Sequence, residues 1–279
     1  MNGIRSWLYV PAAQPHRVAK ALSGDADAVV IDLEDSVPAA GKAAARDLLA
    51  GTLGDVLAAP GHKPVAVRVN ALPGPGADDL RALSGLPLTA VRLPKTEDPG
   101  EVRRAADLLP GVDLHLLVES ALGLRRCFEL AGCAPSVRAL LLGEGDLSRD
   151  LGSGHPAIMD AARFRVLLAA RAAGLPAPSL SVFRSLDDLD ALRADTLRGK
   201  DLGFFGRSVV HPRQVPVVNA VFAPDPAEIA EARAVLAAAA DAGTRGTAAW
   251  RTADGEIADL AAVRAAEDVL ARAAGTEDR

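Results

Sequence analysis

The feature that most constrains the fold of this chain is an alternation between short, almost continuous apolar runs and longer Ala/Leu/Arg-rich segments. The runs at Trp7–Val10, Ala28–Ile31, Val65–Val69, Ala90–Leu93, Leu114–Val118 and Val137–Leu142 contain few polar residues. Parallel strands covered on both faces read this way. A weaker run follows at Leu180–Phe183, and an eighth around Phe204–Val210. Helical patterns lie between them at Lys42–Ala58, Gly100–Leu109, Ala121–Ala131 and Ala157–Ala173, the last ending in Gly174-Leu175-Pro176, a helix stop and then a breaker. Eight strands with intervening helices predict an α/β fold, a closed (β/α)8 or TIM barrel. The same spacing also fits a doubly wound open sheet, but the barrel is the preferred reading.

After Pro224 the pattern changes. An Ala-rich helix is predicted over Pro226–Ala240, a Gly/Thr-rich loop over Asp241–Gly255 and a last helix over Glu256–Ala274. Residues 1–223 are thus expected to form the barrel and 224–279 a C-terminal helical extension, packed on the barrel or at a subunit interface.

Composition excludes several function classes. The formal charge is −5 and the arginines are scattered. A nucleic-acid surface needs concentrated positive charge, so none is expected. Cys127 and Cys133 are the only cysteines. A disulfide framework and a cysteine-held metal are therefore not expected, and both residues read as small buried hydrophobes. No secretory leader or membrane-spanning run is apparent, and the expectation is a soluble cytoplasmic protein.

In a β/α barrel the chemistry sits at the carboxyl ends of the strands. Here those ends read Asp32-Leu33-Glu34-Asp35-Ser36, Arg68-Val69-Asn70, Leu93-Pro94-Lys95, Glu119-Ser120, Gly143-Glu144-Gly145-Asp146 and His211-Pro212. Burying such groups costs several kcal/mol unless they are paired or hold a metal. Glu119 and Asp146 follow adjacent strands, and their oxygens suit Mg²⁺ or Mn²⁺. Glu34 and Asp35 are placed to hold metal-bound waters. Arg68 offers a guanidinium fork for a carboxylate, with a structural bridge to Asp32 or Glu119 as the other reading. Lys20 and Lys95 are candidates for a phosphate. His211, fixed by Pro212, is read as structural or cofactor-positioning. No nucleophile elbow, Walker A loop or dinucleotide fingerprint is present.

These segments resemble the HpcH/HpaI aldolase and citrate-lyase beta-subunit superfamily, more narrowly its CitE-like branch. The resemblance is carried by Arg5-Ser6-Trp7-Leu8-Tyr9-Val10-Pro11, Asp32-Leu33-Glu34-Asp35-Ser36-Val37, Val67-Arg68-Val69-Asn70, Glu119-Ser120-Ala121-Leu122-Gly123, Gly143-Glu144-Gly145-Asp146-Leu147 and His211-Pro212-Arg213-Gln214-Val215. It implies a TIM barrel that cleaves or forms a carbon–carbon bond in a 3-hydroxyacyl-CoA of the citryl, malyl or citramalyl type. It also implies Mg²⁺ on Glu119 and Asp146, the oxoacid on Arg68, and a homotrimer or hexamer. In such an assembly Asp259, in the run Asp254-Gly255-Glu256-Ile257-Ala258-Asp259, reaches a neighbouring site and transfers a proton. The chain departs from the family pattern at Ser120, where a threonine is usual, and around Leu180–Phe183, where an acidic residue is usual. Thioester hydrolysis, action on free oxoacids without CoA, and a non-enzymatic scaffold subunit are the alternatives.

Overall fold

The structure is a computed structural model and describes residues 3–58, 61–244, 250–251 and 257–277. The chain divides after Val221 into two compact units.

The first unit contains one parallel sheet. Its strands are β1 (Ser6–Pro11), β2 (Ala28–Asp32), β3 (Val65–Arg68), β4 (Ala90–Leu93), β5 (Asp113–Val118), β6 (Val137–Leu142) and β7 (Arg207–Val209). Their order is β6-β5-β4-β3-β2-β1-β7. The sheet curls through 234° and its edges remain 10 Å apart, so it is an open half-barrel. The closed eight-stranded barrel expected from the sequence is not formed.

The missing strand is the seventh apolar run. Leu180 makes a single parallel bridge to Arg207. Phe205 N donates to Pro178 O (3.0 Å), Leu180 N to Gly206 O (2.9 Å) and Ser208 N to Leu180 O (2.9 Å). Among the described residues no hydrogen bond ties this segment to β6. Pro176 and Pro178 lack the N–H groups a strand needs, and serines replace residues of high strand propensity. Ion pairs link the two edges instead. Glu144, just after β6, bonds Arg163 (2.8 Å), which bonds Asp195 (3.3 Å), which pairs with Arg207 of β7.

Helices follow the strands. They are α1 (Pro15–Leu22), α2 (Lys42–Ala58), α3 (Pro75–Leu83), α4 (Pro99–Leu108), α5 (Ala121–Ala131), α6 (Glu144–Asp150), α7 (Pro156–Ala172), α8 (Leu189–Asp201) and α9 (Val215–Phe222). Several starts are chemically marked. Proline opens α1, α3, α4 and α7, where a missing N–H costs nothing. The Ser120 side chain accepts from Gly123 N (3.0 Å) and caps α5 directly after Glu119. Cys127 is buried and Cys133 only half-buried.

The core is the sheet itself. Val29, Val30, Ile31, Val65, Val67, Val91, Leu114, Leu116 and Leu140 are fully enclosed. Each such side chain contributes about 1.5–3 kcal/mol. One lateral row is polar: Asp32, Arg68, Arg92 and His115 are register partners on β2 to β5. Arg92 has no carboxylate partner among the described residues. Its guanidinium lies over Trp7 (4.7 Å) and Tyr9 (5.3 Å) and donates to Tyr9 Oη (2.9 Å) and Ser208 Oγ (3.0 Å). His115 meets Trp7 edge-on at 5.6 Å. Burial, reinforced by the Arg92 charge, holds the His115 imidazole well below its usual pKa.

The second unit contains α10 (Pro226–Thr244), a short antiparallel hairpin of β8 (Trp250–Arg251) and β9 (Ile257–Ala258), and α11 (Leu260–Glu277). Its two helices pack together, with Ala232 and Ala266 buried. The last helix, expected from Glu256, begins at Leu260, because Ile257 and Ala258 pair with the preceding strand. Asp254, Gly255 and Glu256 of the run quoted above lie outside the described residues. No described helix is long and apolar enough to cross a membrane.

This packing generates two predictions. Gly206 has φ +80°, and an added Cβ would stand 2.5 Å from Ile4 O, at the junction of β7 with β1. Gly206→Ala should therefore destabilise the protein by about 2 kcal/mol or more; a denaturation midpoint equal to the parent's would refute the assigned junction. Because the folded-state pKa of His115 is depressed, its neutral form stabilises the fold fully above the unfolded value near 6.5, and that stability is lost as pH falls below it. The stability difference between parent and His115→Gln should accordingly shift against the parent by up to about 1.4 kcal/mol per pH unit below 6.5. Parallel pH–stability curves would show that His115 is not held neutral.

Candidate active site

Five strand ends bring their polar residues to one end of the sheet, beside a cavity of about 1060 Å³ lined by Asp32, Asp35, Arg68, Glu119 and Asp146. Arg68, ending β3, organises the cluster. Its Nε and Nη2 bond both oxygens of Asp32 at 2.7 and 2.8 Å. Its Nη1 reaches Glu34 (2.8 Å) and Asp35 (3.2 Å). Of its five N–H groups, one on Nη2 is left uncommitted. Burial opposes the charges in this group. For Asp32 it is outweighed by Arg68, with help from the Glu34 N–H and the Ser36 side chain, and the carboxyl stays low. For Arg68 burial is outweighed by Asp32, so the guanidinium stays charged. For Glu34 burial prevails over Arg68 and Lys95, and the carboxyl is raised.

Lys95 follows β4 in a left-handed conformation, φ 51°, unusual for a side-chain-bearing residue. That turn aims its N–H at Glu119 Oε1 (2.6 Å), while its ammonium bonds Glu34 Oε1 (2.7 Å). The bond to Glu34 raises the Lys95 pKa. The lysine is thus committed to the carboxylate cluster.

Glu119 closes β5 and is buried. Gly143 makes room for it, since a Cβ there would lie 2.4 Å from Glu119 Oε2. Burial, then the charge of Glu34 and also that of Asp146, pushes the Glu119 carboxyl up to about 7, against the pull of the Lys95 N–H. Asp146 sits in the first turn of α6, partly exposed, and pairs with Arg149 at 2.5 Å. Among the described residues no three His, Cys, Asp or Glu side chains form a ready-made metal cage. Two oxygen donors with the remaining positions left to water is the arrangement Mg²⁺ prefers. A buried carboxylate beside two other acids also gains from a cation, so the donor set fits.

The other sequence candidates lie around this centre. Lys20, in the last turn of α1, is exposed on the cavity wall. His211 also lines the cavity; its Nδ1 accepts from Arg213 N (3.2 Å) and starts a helical turn. Asp259 belongs to the second unit, is exposed and caps α11 by accepting from Ala261 N (2.8 Å).

Sequence reasoning missed three contributors. Asp32, considered only as a bridge partner, carries the bidentate contact to Arg68. Lys42 bonds the carbonyls of Leu33 (3.1 Å) and Glu34 (2.8 Å) and holds the loop that presents Glu34. Arg184 lines the cavity with its guanidinium against Gly145. The strand-end rule, extended to the weak seventh run, leads directly to Arg184; nothing in the sequence marks Lys42.

Known proteins share this framework. The HpcH/HpaI aldolase/citrate lyase family matches residues 5–212. A (3S)-malyl-CoA thioesterase of Cereibacter sphaeroides is 36% identical over 282 residues, covering 96% of this chain and 94% of that protein. A citrate lyase subunit beta-like protein of Mycobacterium tuberculosis is 36% identical over 278 residues, covering 96% and 94%. The crystal structure of CitE from Mycobacterium tuberculosis with magnesium, acetoacetate and coenzyme A aligns with a TM-score of 0.79 and 32% identity, over 97% of this chain and 98% of that one. The chain belongs to the HpcH/HpaI aldolase/citrate lyase family.

Proposed function

We propose that this chain is a Mg²⁺-dependent carbon–carbon lyase that cleaves or forms a 3-hydroxyacyl-CoA of the citryl, malyl or citramalyl type, with an oxoacid and an acyl-CoA as the other side of the reaction. The observation that carries the reading is the buried Glu119, raised by neighbouring acids and facing a large cavity together with Asp146. Family membership and a magnesium, acetoacetate and coenzyme A complex of a relative support it.

Glu119 and Asp146 would hold the ion. When bound, Mg²⁺ polarises a carbonyl oxygen and stabilises the negative charge that forms on it. Asp32 fixes Arg68, which lines the cavity, and the remaining Arg68 N–H would serve as a donor to a developing oxyanion. Glu34 and Asp35 orient waters beside the carboxylate pair. In cleavage, a carboxylate takes the hydroxyl proton, the C–C bond breaks to an oxoacid, and the thioester enolate takes up a proton at carbon. We assign that carboxylate to Asp259 of a neighbouring copy, in a trimer or a multiple of three. Lys20, exposed on the cavity wall without a described partner, is placed to meet a CoA phosphate, and His211 shapes the wall beside it.

Thioester hydrolysis is a second reading, favoured by the (3S)-malyl-CoA thioesterase relatives. Incubation with malyl-, citramalyl- and citryl-CoA plus Mg²⁺, with mass analysis, separates the two. An oxoacid with a short acyl-CoA marks the lyase; a free hydroxyacid with CoA marks the thioesterase.

Glu119→Gln and Asp146→Asn should each weaken Mg²⁺ binding by more than about tenfold and nearly abolish turnover. Calorimetric titration is the check, and parent-like Mg²⁺ affinity in both would misplace the site. Asp259→Asn tests the acid separately, because asparagine caps a helix as well as aspartate does. Turnover should fall by about a hundredfold or more with the unfolding midpoint unchanged. Full activity, or a monomer by light scattering at every concentration, would remove Asp259 from the reaction.

A further inference from the structure

Of the cavity's cations without a carboxylate partner, Lys20, Arg92 and Arg184 among them, Arg184 is the one that lies against the glycine before Asp146. Arg68 is engaged by Asp32, Glu34 and Asp35. Lys95 is bonded to Glu34. Arg149 pairs with Asp146 on the exposed side. Arg184 lines the same cavity as Arg68, Glu119 and Asp146, and among the described residues it has no carboxylate within ion-pair distance.

Its position is built into the chain at a second point. The guanidinium rests on Gly145, the residue before Asp146. A Cβ at Gly145 would lie 2.1 Å from Arg184 Nη2 and 3.1 Å from its Cζ. A side chain at 145 would displace the guanidinium from this place. The residues before Arg184 are tied to β7 and its approach by three backbone hydrogen bonds at Pro178 and Leu180, and the Gln214 side chain donates to the carbonyls on either side of it, Phe183 O (2.9 Å) and Ser185 O (3.3 Å). The guanidinium thus lies one residue from Asp146, and its N–H fork is not spent on a carboxylate of the described residues.

We propose that Arg184 binds the carboxylate of the oxoacid half of the substrate, in the space over Gly145. This rests on reading the cavity as an oxoacid site. The chemistry needs such a group. An α-oxoacid brings a carboxylate into a cluster already rich in acids, and Arg68 has a single N–H left to offer it. One oxygen of that carboxylate is free to face Arg184 when the other lies toward the ion that Glu119 and Asp146 would hold. A planar, always-charged fork is suited to it. Arg184 is then a specificity residue: it favours substrates with a carboxylate on the carbonyl-bearing carbon over those with an amide or methyl there.

The test is calorimetric titration of the full-length protein with glyoxylate, pyruvate and oxaloacetate at saturating Mg²⁺, beside Mg²⁺ titration alone. Arg184→Gln should raise the oxoacid Kd at least tenfold and leave the Mg²⁺ Kd within twofold. Gly145→Ala should act in the same direction, because its methyl occupies the place of the guanidinium while the charge remains on the protein. Arg184→Lys should fall between parent and Arg184→Gln. An oxoacid Kd within twofold of the parent in Arg184→Gln overturns the proposal. So does a parallel loss of Mg²⁺ affinity in that variant, which would make Arg184 a support for Asp146 instead. A parent that binds no oxoacid overturns it too. A parent that binds oxoacids but turns over no acyl-CoA removes the lyase reading alone, and the variant Kd values still decide the role of Arg184.

Discussion

The pair between Asp32 and Arg68 is the interaction on which the rest of the site depends. The two residues are register partners at the ends of β2 and β3, so the sheet's own hydrogen bonds place them side by side. Both guanidinium edges are then used: one on Asp32, the other on Glu34 and Asp35. Taken out of water singly, any of these charges would cost several kcal/mol. Together they hold the loop after β2 in place, and Glu34 in turn receives Lys95, whose backbone N–H fixes Glu119. The order of dependence runs from strand register to ion pair to loop to carboxylate.

The result is a cluster with more acid than base. Asp32, Glu34, Asp35, Glu119 and Asp146 are met by three bonded cations, Arg68, Lys95 and, on Asp146, Arg149. The surplus falls on Glu119. A carboxyl moved from 4.5 to about 7 carries a penalty on the order of 3 kcal/mol when ionised. A divalent cation offsets that penalty, which links metal affinity to protonation. The left-handed backbone at Lys95 is a second local cost, on the order of 1 kcal/mol, accepted in return for the short contact to Glu119.

Most of the fold was legible from hydrophobic continuity. Six of the eight apolar runs became β1 to β6 with shifts of a residue or two at most, because a strand buried on both faces must be apolar throughout. Helix α5 matched at both ends, since Ser120 and Gly132 bracket it. Closure was not legible. Periodicity cannot tell a run that pairs on both sides from one that pairs on one, and the prolines at 176 and 178 were the warning. At the site, acidic and basic residues at strand ends were visible as types, but their partners were not. The bond from Lys95 to Glu34 and the capping bond that Asp259 accepts from Ala261 N appear only in the structure. Partnership is a property of side-chain direction, which a single sequence does not encode locally.

The half-attached segment from Pro178 to Phe183 has a consequence for how such a protein can change. A strand hydrogen-bonded on both sides is tied to its neighbours by register, and a one-residue slip would turn its side chains to the opposite face. This segment pairs on one side only, with β7 and the residues just before it, and the Gln214 side chain donates to its Phe183 carbonyl (2.9 Å). Its residues can be lengthened, shortened or exchanged while the β1–β6 ladders stay as they are. Glu119 follows a strand paired on both sides, and residues of this segment line the same cavity. Divergence toward new substrates therefore has a ready location, where variation disturbs neither Glu119 nor the strands that hold it.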